Sequence, residues 1–210
     1  MTDGGLRIGV VPGVTPDSWV RTWRERMPRV PLAIRPVPDA TAAAALGDSV
    51  DLVFARLPLD GVDPEAVHVI RLWEETPMAV AAKDHPMKVF DAVTLADLEG
   101  EDLYPGWDEG TLDIVAAGHG IARMPQSVLR ATGRRDVVGR PISDAEPTRI
   151  GLVWLRSGGG PLVDEFIGIV RGRTANSSRG AEPPAGPAPR KRDERKPAPK
   201  RPRDKRVKRR

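Results

Sequence analysis

The densest reactive chemistry in the sequence is cationic. Of the 21 residues from Arg190 to Arg210, 13 are basic: Arg190, Lys191, Arg192, Arg195, Lys196, Lys200, Arg201, Arg203, Lys205, Arg206, Lys208, Arg209 and Arg210. Cations at that density neutralise phosphates and release their counterions. The segment is therefore predicted to bind DNA or RNA with a steep salt dependence and little sequence preference. It contains no aromatic residue, which removes base stacking as a mode of contact. From Arg173 onward 15 basic residues face 4 acidic ones, whereas residues 1–172 carry 18 basic and 25 acidic residues, a net charge of −7. The isoelectric point near 9.7 thus belongs to the tail alone. The competing role for such an arm is to solubilise the chain or fold back over its acidic body.

Catalytic and metal chemistries find little support. The chain has no cysteine and three histidines, His68, His85 and His119. Disulfides, thiolate metal sites and a cysteine nucleophile are excluded by composition. The acidic pairs Asp48/Asp51 and Glu74/Glu75 have no neighbouring base, nucleophile or metal set in the sequence. Ser157-Gly158-Gly159-Gly160-Pro161 lacks the Lys-Ser/Thr of a phosphate loop and the spacing of a dinucleotide fingerprint. A non-enzymatic protein without cofactor or metal is expected. No apolar run reaches the roughly 20 residues needed to cross a bilayer, and the polar start from Met1 to Gly5 lacks the order of a signal peptide. A soluble cytoplasmic protein is the expectation.

The elements that would position any site alternate between strand and helix. Leu6–Val11, Pro31–Val37 and Asp51–Arg56 are apolar runs expected as strands. Between them, Thr15-Pro16-Asp17 offers an N-cap, a proline and a first-turn acid for a helix carrying Trp19, Val20, Trp23 and Met27. Asp39 is expected to cap a short alanine-rich helix from Ala40 to Leu46. His68–Trp73 and Met78–Lys83 are expected to be extended, followed by helices at Thr94–Leu98 and Thr111–Ala117. A strand edge at Gly120–Pro125, a helix at Gln126–Ala131, a strong strand at Ile150–Leu155 and a last helix at Leu162–Val170 complete the pattern. This alternation predicts an α/β architecture with mainly parallel pairing. Trp19, Trp23 and Phe166 are core candidates. After Arg173 the periodicity stops: Ala181–Pro189 is a Pro/Ala/Gly-rich linker, and the basic tail cannot bury enough apolar surface to offset its chain entropy, so 173–210 is expected to be disordered.

The segments LRIGVVPGV, WRERMPRVPLAI, DLVFARLP, AVAAKDHP, TLADLEGEDL, VAAGHGIARMPQSV and TRIGLVWLRSGGGPLVDEFIGIVR occur in this order between Leu6 and Arg173. Together they resemble the effector-binding (substrate-binding) domain of LysR-type transcriptional regulators, a two-lobed, type-2 periplasmic-binding-protein-like fold. The ending VRGRTANSSRG resembles that of an actinobacterial subgroup. The resemblance implies a domain over residues 1–172, with lobe I from about 1–78 and 149–172 and lobe II from about 79–148. It also implies two departures. The helix-turn-helix domain that precedes the effector domain in family members has no counterpart ahead of residue 6. Only Tyr104–Thr111 stands where the family places further strand and helix material, so lobe II is expected to be shortened.

Carried over position by position, the resemblance makes Gly13, Val14 and Thr15 the loop entering the first helix at the ligand cleft. Arg56 stands at a strand end where it could pair with a ligand carboxylate or form a salt bridge. Tyr104 and Trp107 could line a pocket or patch apolar surface. Gly118 should adopt a left-handed helix-end conformation, leaving His119 in a turn as a ligand contact or a solvated side chain, and His85 belongs to turn chemistry. The function implied is a dimerising regulatory protein that senses a small-molecule effector, with its tail holding nucleic acid; the effector is expected to be an organic anion, because helix N-termini facing the cleft of this fold expose unpaired N–H groups that suit carboxylates. The alternative is a protein-interaction module on a polymerase, ribosome or nucleoid with a vestigial pocket.

Overall fold

The computed structural model describes residues 4–104 and 106–173. Its elements in chain order are β1 (Leu6–Val10), α1 (Asp17–Arg26), β2 (Leu32–Pro36), α2 (Ala42–Ala45), β3 (Leu52–Leu57), β4 (Val67–Glu75) and β5 (Pro77–Ala82). There follow β6 (Leu103–Tyr104), α3 (Glu109–Ala116), β7 (Ile121–Pro125), α4 (Gln126–Thr132), β8 (Val137–Pro141), β9 (Thr148–Leu155) and α5 (Pro161–Val170). The strands form two sheets, a five-stranded one in the order β2-β1-β3-β9-β4 and a four-stranded one in the order β6-β7-β5-β8. The fold is α/β and two-lobed, as the sequence predicts.

β1 is buried at four of its five positions and the first four residues of β3 are all buried. Strands covered on both faces read as continuous apolar runs rather than as alternation. On one face of the five-stranded sheet lie α1 and α5. Trp23 is fully buried there, its indole N–H donating to the Val30 carbonyl at 3.2 Å. Phe166 meets Trp23 at 6.0 Å and the edge of Phe54 at 6.2 Å between ring centroids, and Trp19 stacks on Phe54 at 5.2 Å. All three aromatic core candidates thus pack where the helix periodicity puts them.

The four-stranded sheet carries a core on each face. Met78, Val80, Ala122 and Met124 pack with Leu112, Val115 and Val128 of α3 and α4. Ala79, Ala81 and Ile121 pack with Met87, Val93, Leu98 and Ile142. The segment before Leu98 is a single 3-10 turn with reciprocal capping: Thr94 N–H and hydroxyl donate to Asp97 at 2.8 and 2.7 Å, and Asp97 N–H donates to the Thr94 hydroxyl at 3.2 Å.

Three expectations need correction. Pairing is mixed rather than mainly parallel: β1 pairs in parallel with β2 and β3, and β6 with β7, but β3–β9, β4–β9, β5–β7 and β5–β8 are antiparallel. The cause is that β9 returns to the first sheet from the second and runs against its neighbours. Thr15 does not cap α1; Pro16 occupies that place and no side chain caps the helix. Asp39 does not cap the alanine-rich helix either, because its carboxylate is engaged elsewhere.

Candidate functional site

The chain passes between the sheets twice, through Glu75–Pro77 and through the residues joining β8 to β9. At this junction the carboxyl ends of β1, β2, β3 and β4 face the start of β5, the end of β7 and the start of α4. A crevice outside the carboxyl ends of strands is where open α/β sheets receive ligands.

At its centre stands Arg56, near the end of β3. Its Nε donates to Glu75 Oε2 at 2.9 Å and its Nη2 to Glu75 Oε1 at 3.2 Å. Its Nη1 donates to both oxygens of Asp39 at 2.9 and 3.1 Å, and Nη2 reaches the Pro12 carbonyl at 2.9 Å. The guanidinium carbon lies 5.6 Å from the centroid of the Trp107 ring. Glu75 is the buried charged residue among the described residues, its side chain 2% exposed against 10% for Arg56. Its oxygens also accept from the Thr148 hydroxyl at 3.1 Å and from the Ser127 hydroxyl. The knot ties the ends of β1, β2 and β3 to one another through Pro12 and Asp39, and to the passage and α4 through Glu75 and Ser127. A planar fork suits such bidentate pairing, and the added hydroxyls satisfy the remaining lone pairs of a carboxylate taken out of water.

Gly13 brings the lobes together beside this knot. Its φ is +84°, and a Cβ there would stand 2.7 Å from the Ser127 carbonyl carbon and the Val128 nitrogen. The loop after β1 is thus pressed against the first turn of α4, and only glycine permits both the conformation and the approach.

Two apolar cavities flank Trp107. One, of about 350 Å³, is lined by Pro77, Leu103, Tyr104, Met124 and Pro125, with Arg123 and Glu146 as its charged groups. The other, of about 570 Å³, is lined chiefly by Pro12, Pro38, Val128 and Ala131, with Asp39 and Asp108 as its charged groups. Asp108 caps α3, accepting from Thr111 N–H at 3.0 Å and from the Thr111 hydroxyl at 2.7 Å. The hydroxyl first, and then the amide, hold this carboxyl below its ordinary value of 3.8. The stabilisation it gives is present above that value and is lost as pH falls through the folded one. A side-chain carboxyl titration by NMR should place the Asp108 midpoint below 3.8, and Thr111→Val should return it upward; an unmoved midpoint would refute the bond.

The positions singled out in the sequence scatter around this crevice. Gly13 and Arg56 are in the knot, and Val14 is buried beneath it. Thr15 is exposed on the loop that follows. Tyr104 and Trp107 both line the 350 Å³ cavity. His119 is exposed in the turn between α3 and β7, at the opposite end of β7 from the crevice, after Gly118 with its φ of +89°. His85 caps a short 3-10 turn, Nδ1 accepting from Met87 N–H at 3.3 Å. The tail cations lie outside the described residues. Glu75, Ser127 and Thr148 were missed because the partners of their side chains lie far away in sequence; Asp108 was missed although its pairing with Thr111, three residues on, is the local pattern of a helix cap.

The fold is that of the effector-binding domains of LysR-type regulators. The effector binding domain of a BenM variant has a TM-score of 0.66 at 20% identity, over 81% of this chain and 94% of that one. The BenM domain with its effector benzoate gives 0.65 at 20%, over 82% and 92%. Oxidized Corynebacterium glutamicum OxyR gives 0.63 at 22%, over 80% and 62%, and full-length CbnR with its target DNA gives 0.62 at 15%, over 80% and 70%. Within that fold, residues 2–104 match the family model of the LysR substrate binding domain. No curated protein sequence matches the chain. None of the helices among the described residues is long and apolar enough to cross a membrane.

Proposed function

We propose that residues 1–172 form a small-molecule-sensing regulatory domain and that the basic segment after Arg173 attaches it to nucleic acid. The observation that supports sensing is the pair of apolar cavities on either side of Trp107, at the junction of the two sheets. A volume of several hundred Å³ with apolar walls and a few charged groups suits a small organic ligand. A ligand there would touch both lobes, so its binding free energy would depend on how they are set. That dependence is what a sensor requires. BenM, of the same fold, is seen with benzoate as its effector, and CbnR with target DNA.

The tail supplies +11 against the −7 of the rest, a charge split suited to polyanion attachment. A homodimer would double the number of tails and raise the effective concentration of cations at one nucleic acid. The role is regulatory rather than catalytic. Thermal-shift screening of aromatic metabolites against the full chain should yield a ligand that raises the midpoint by several degrees, and Trp107→Ala should abolish that shift. Electrophoretic shift should show tight, salt-steep DNA binding by the full chain. A chain ending at Arg173 should bind at least ~100-fold more weakly at low salt, because most phosphate contacts are gone. Equal affinity of the two chains would remove the tail from the account.

A further inference from the structure

Each lobe keeps its core to itself. The buried apolar cluster of the five-stranded sheet draws its residues from 6–67 and 150–169, and the two clusters of the four-stranded sheet draw theirs from 78–142. None of the three holds residues of both lobes. Burial of apolar surface therefore fixes the fold of each lobe without fixing how one is set against the other. What crosses the junction besides the two chain passages is gathered at one place. Among the described residues, two side-chain hydrogen bonds join the lobes, and the Ser127 hydroxyl makes both. It donates to Glu75 and accepts from Arg56 Nη2 at 3.4 Å. The Trp107 ring adds a cation–π contact to the same guanidinium at 5.6 Å. Two side chains of lobe II thus grip one arginine of lobe I. Gly13 supplies a stop beside them, because its loop already rests against the main chain of Ser127 and Val128.

We infer that Ser127 and Trp107 are a latch: together they hold Arg56 and so fix the setting of the two lobes, and releasing both opens the crevice while each lobe stays folded. Two chain passages between separate cores form the hinge that such a motion needs. One hydroxyl group and one ring on a cation are modest interactions, so the held and the open settings lie close in free energy. The latch is a property of the chain itself; it goes beyond the sensing role and stands without it.

The chain has no cysteine, so two introduced ones carry labels without background. Ala44→Cys on α2 and Ala117→Cys after α3 are exposed and outside the knot. They place one spin label on each lobe, and pulsed electron paramagnetic resonance of the full chain reads the distance between them. The parent pair should give one narrow distribution. Ser127→Ala with Trp107→Leu should broaden it towards longer distances, whereas Ser127→Thr, which keeps the hydroxyl, should leave it narrow. Leucine retains apolar contact with the core that Trp107 packs against, and alanine leaves Glu75 its bonds to Arg56 and Thr148, so circular dichroism should show both lobes folded. Arg56 itself stays in place, because its loss would leave Glu75 buried without a cation. Should the double variant unfold, Ser127→Ala alone is expected to broaden the distribution in the same direction. An unchanged distribution in the folded double variant, or in Ser127→Ala where only that one folds, overturns the latch, and so does a parent distribution that is already broad.

Discussion

Replacing Arg56 by methionine should lower the unfolding free energy by about 3–5 kcal/mol, the cost of leaving a buried charge without its partner. Glu75 would be left with only the hydroxyls of Ser127 and Thr148, and Asp39 would lose both of its bonds to the guanidinium. Methionine keeps the length of the side chain and part of its packing, so the loss reports on charge. Adding Glu75→Gln should recover a large part of the stability, because an amide needs no counter-ion. Urea denaturation of the three proteins measures both effects. A loss under about 1 kcal/mol in Arg56→Met is the range of an exposed pair, and would show that the knot is solvated rather than structural.

Gly13→Ala should cost about 2–4 kcal/mol, from a left-handed backbone penalty and a steric overlap that cannot relax cheaply. The overlap is with main-chain atoms of Ser127 and Val128, so relief requires moving α4 or the loop after β1. Gly100→Ala is the control. Its φ is +90° but nothing lies within 4 Å of an added Cβ, so it should lose only the backbone part, about 1–2 kcal/mol. The difference between the two measures the pressure of one lobe on the other at this point. Equal losses would mean that the loop does not bear on α4.

Much of the fold was legible because burial on both faces writes itself into the chain as apolar runs. Leu6–Val11 and Asp51–Arg56 needed no partner to be seen, and neither did the stripe of Trp19, Val20 and Trp23. β8 escaped for the opposite reason. Val137-Val138-Gly139-Arg140-Pro141 is half-buried throughout and holds a glycine and a proline, so it reads as a loop until β5 supplies its ladder. A Cβ at Gly139 would stand 2.3 Å from Leu129 Cδ2, so a larger residue there would have to move that side chain. The knot was legible only in part. Arg56 was visible as a cation at a strand end, but its partners Asp39 and Glu75 are 17 and 19 residues away. Asp39 carried a competing local role as a helix cap, and the tertiary ion pair won because Arg56 gives it two charge-assisted bonds in a partly buried setting.

Hydrogen–deuterium exchange of the full chain, with and without the best small-molecule ligand, tests most directly whether the crevice is a sensing site. Slowed exchange should concentrate on amides around Trp107 and Asp108 and on Val128–Thr132, the two walls that meet at the larger cavity. Protection confined to residues remote from both walls, with these amides exchanging as in the free protein, would contradict it.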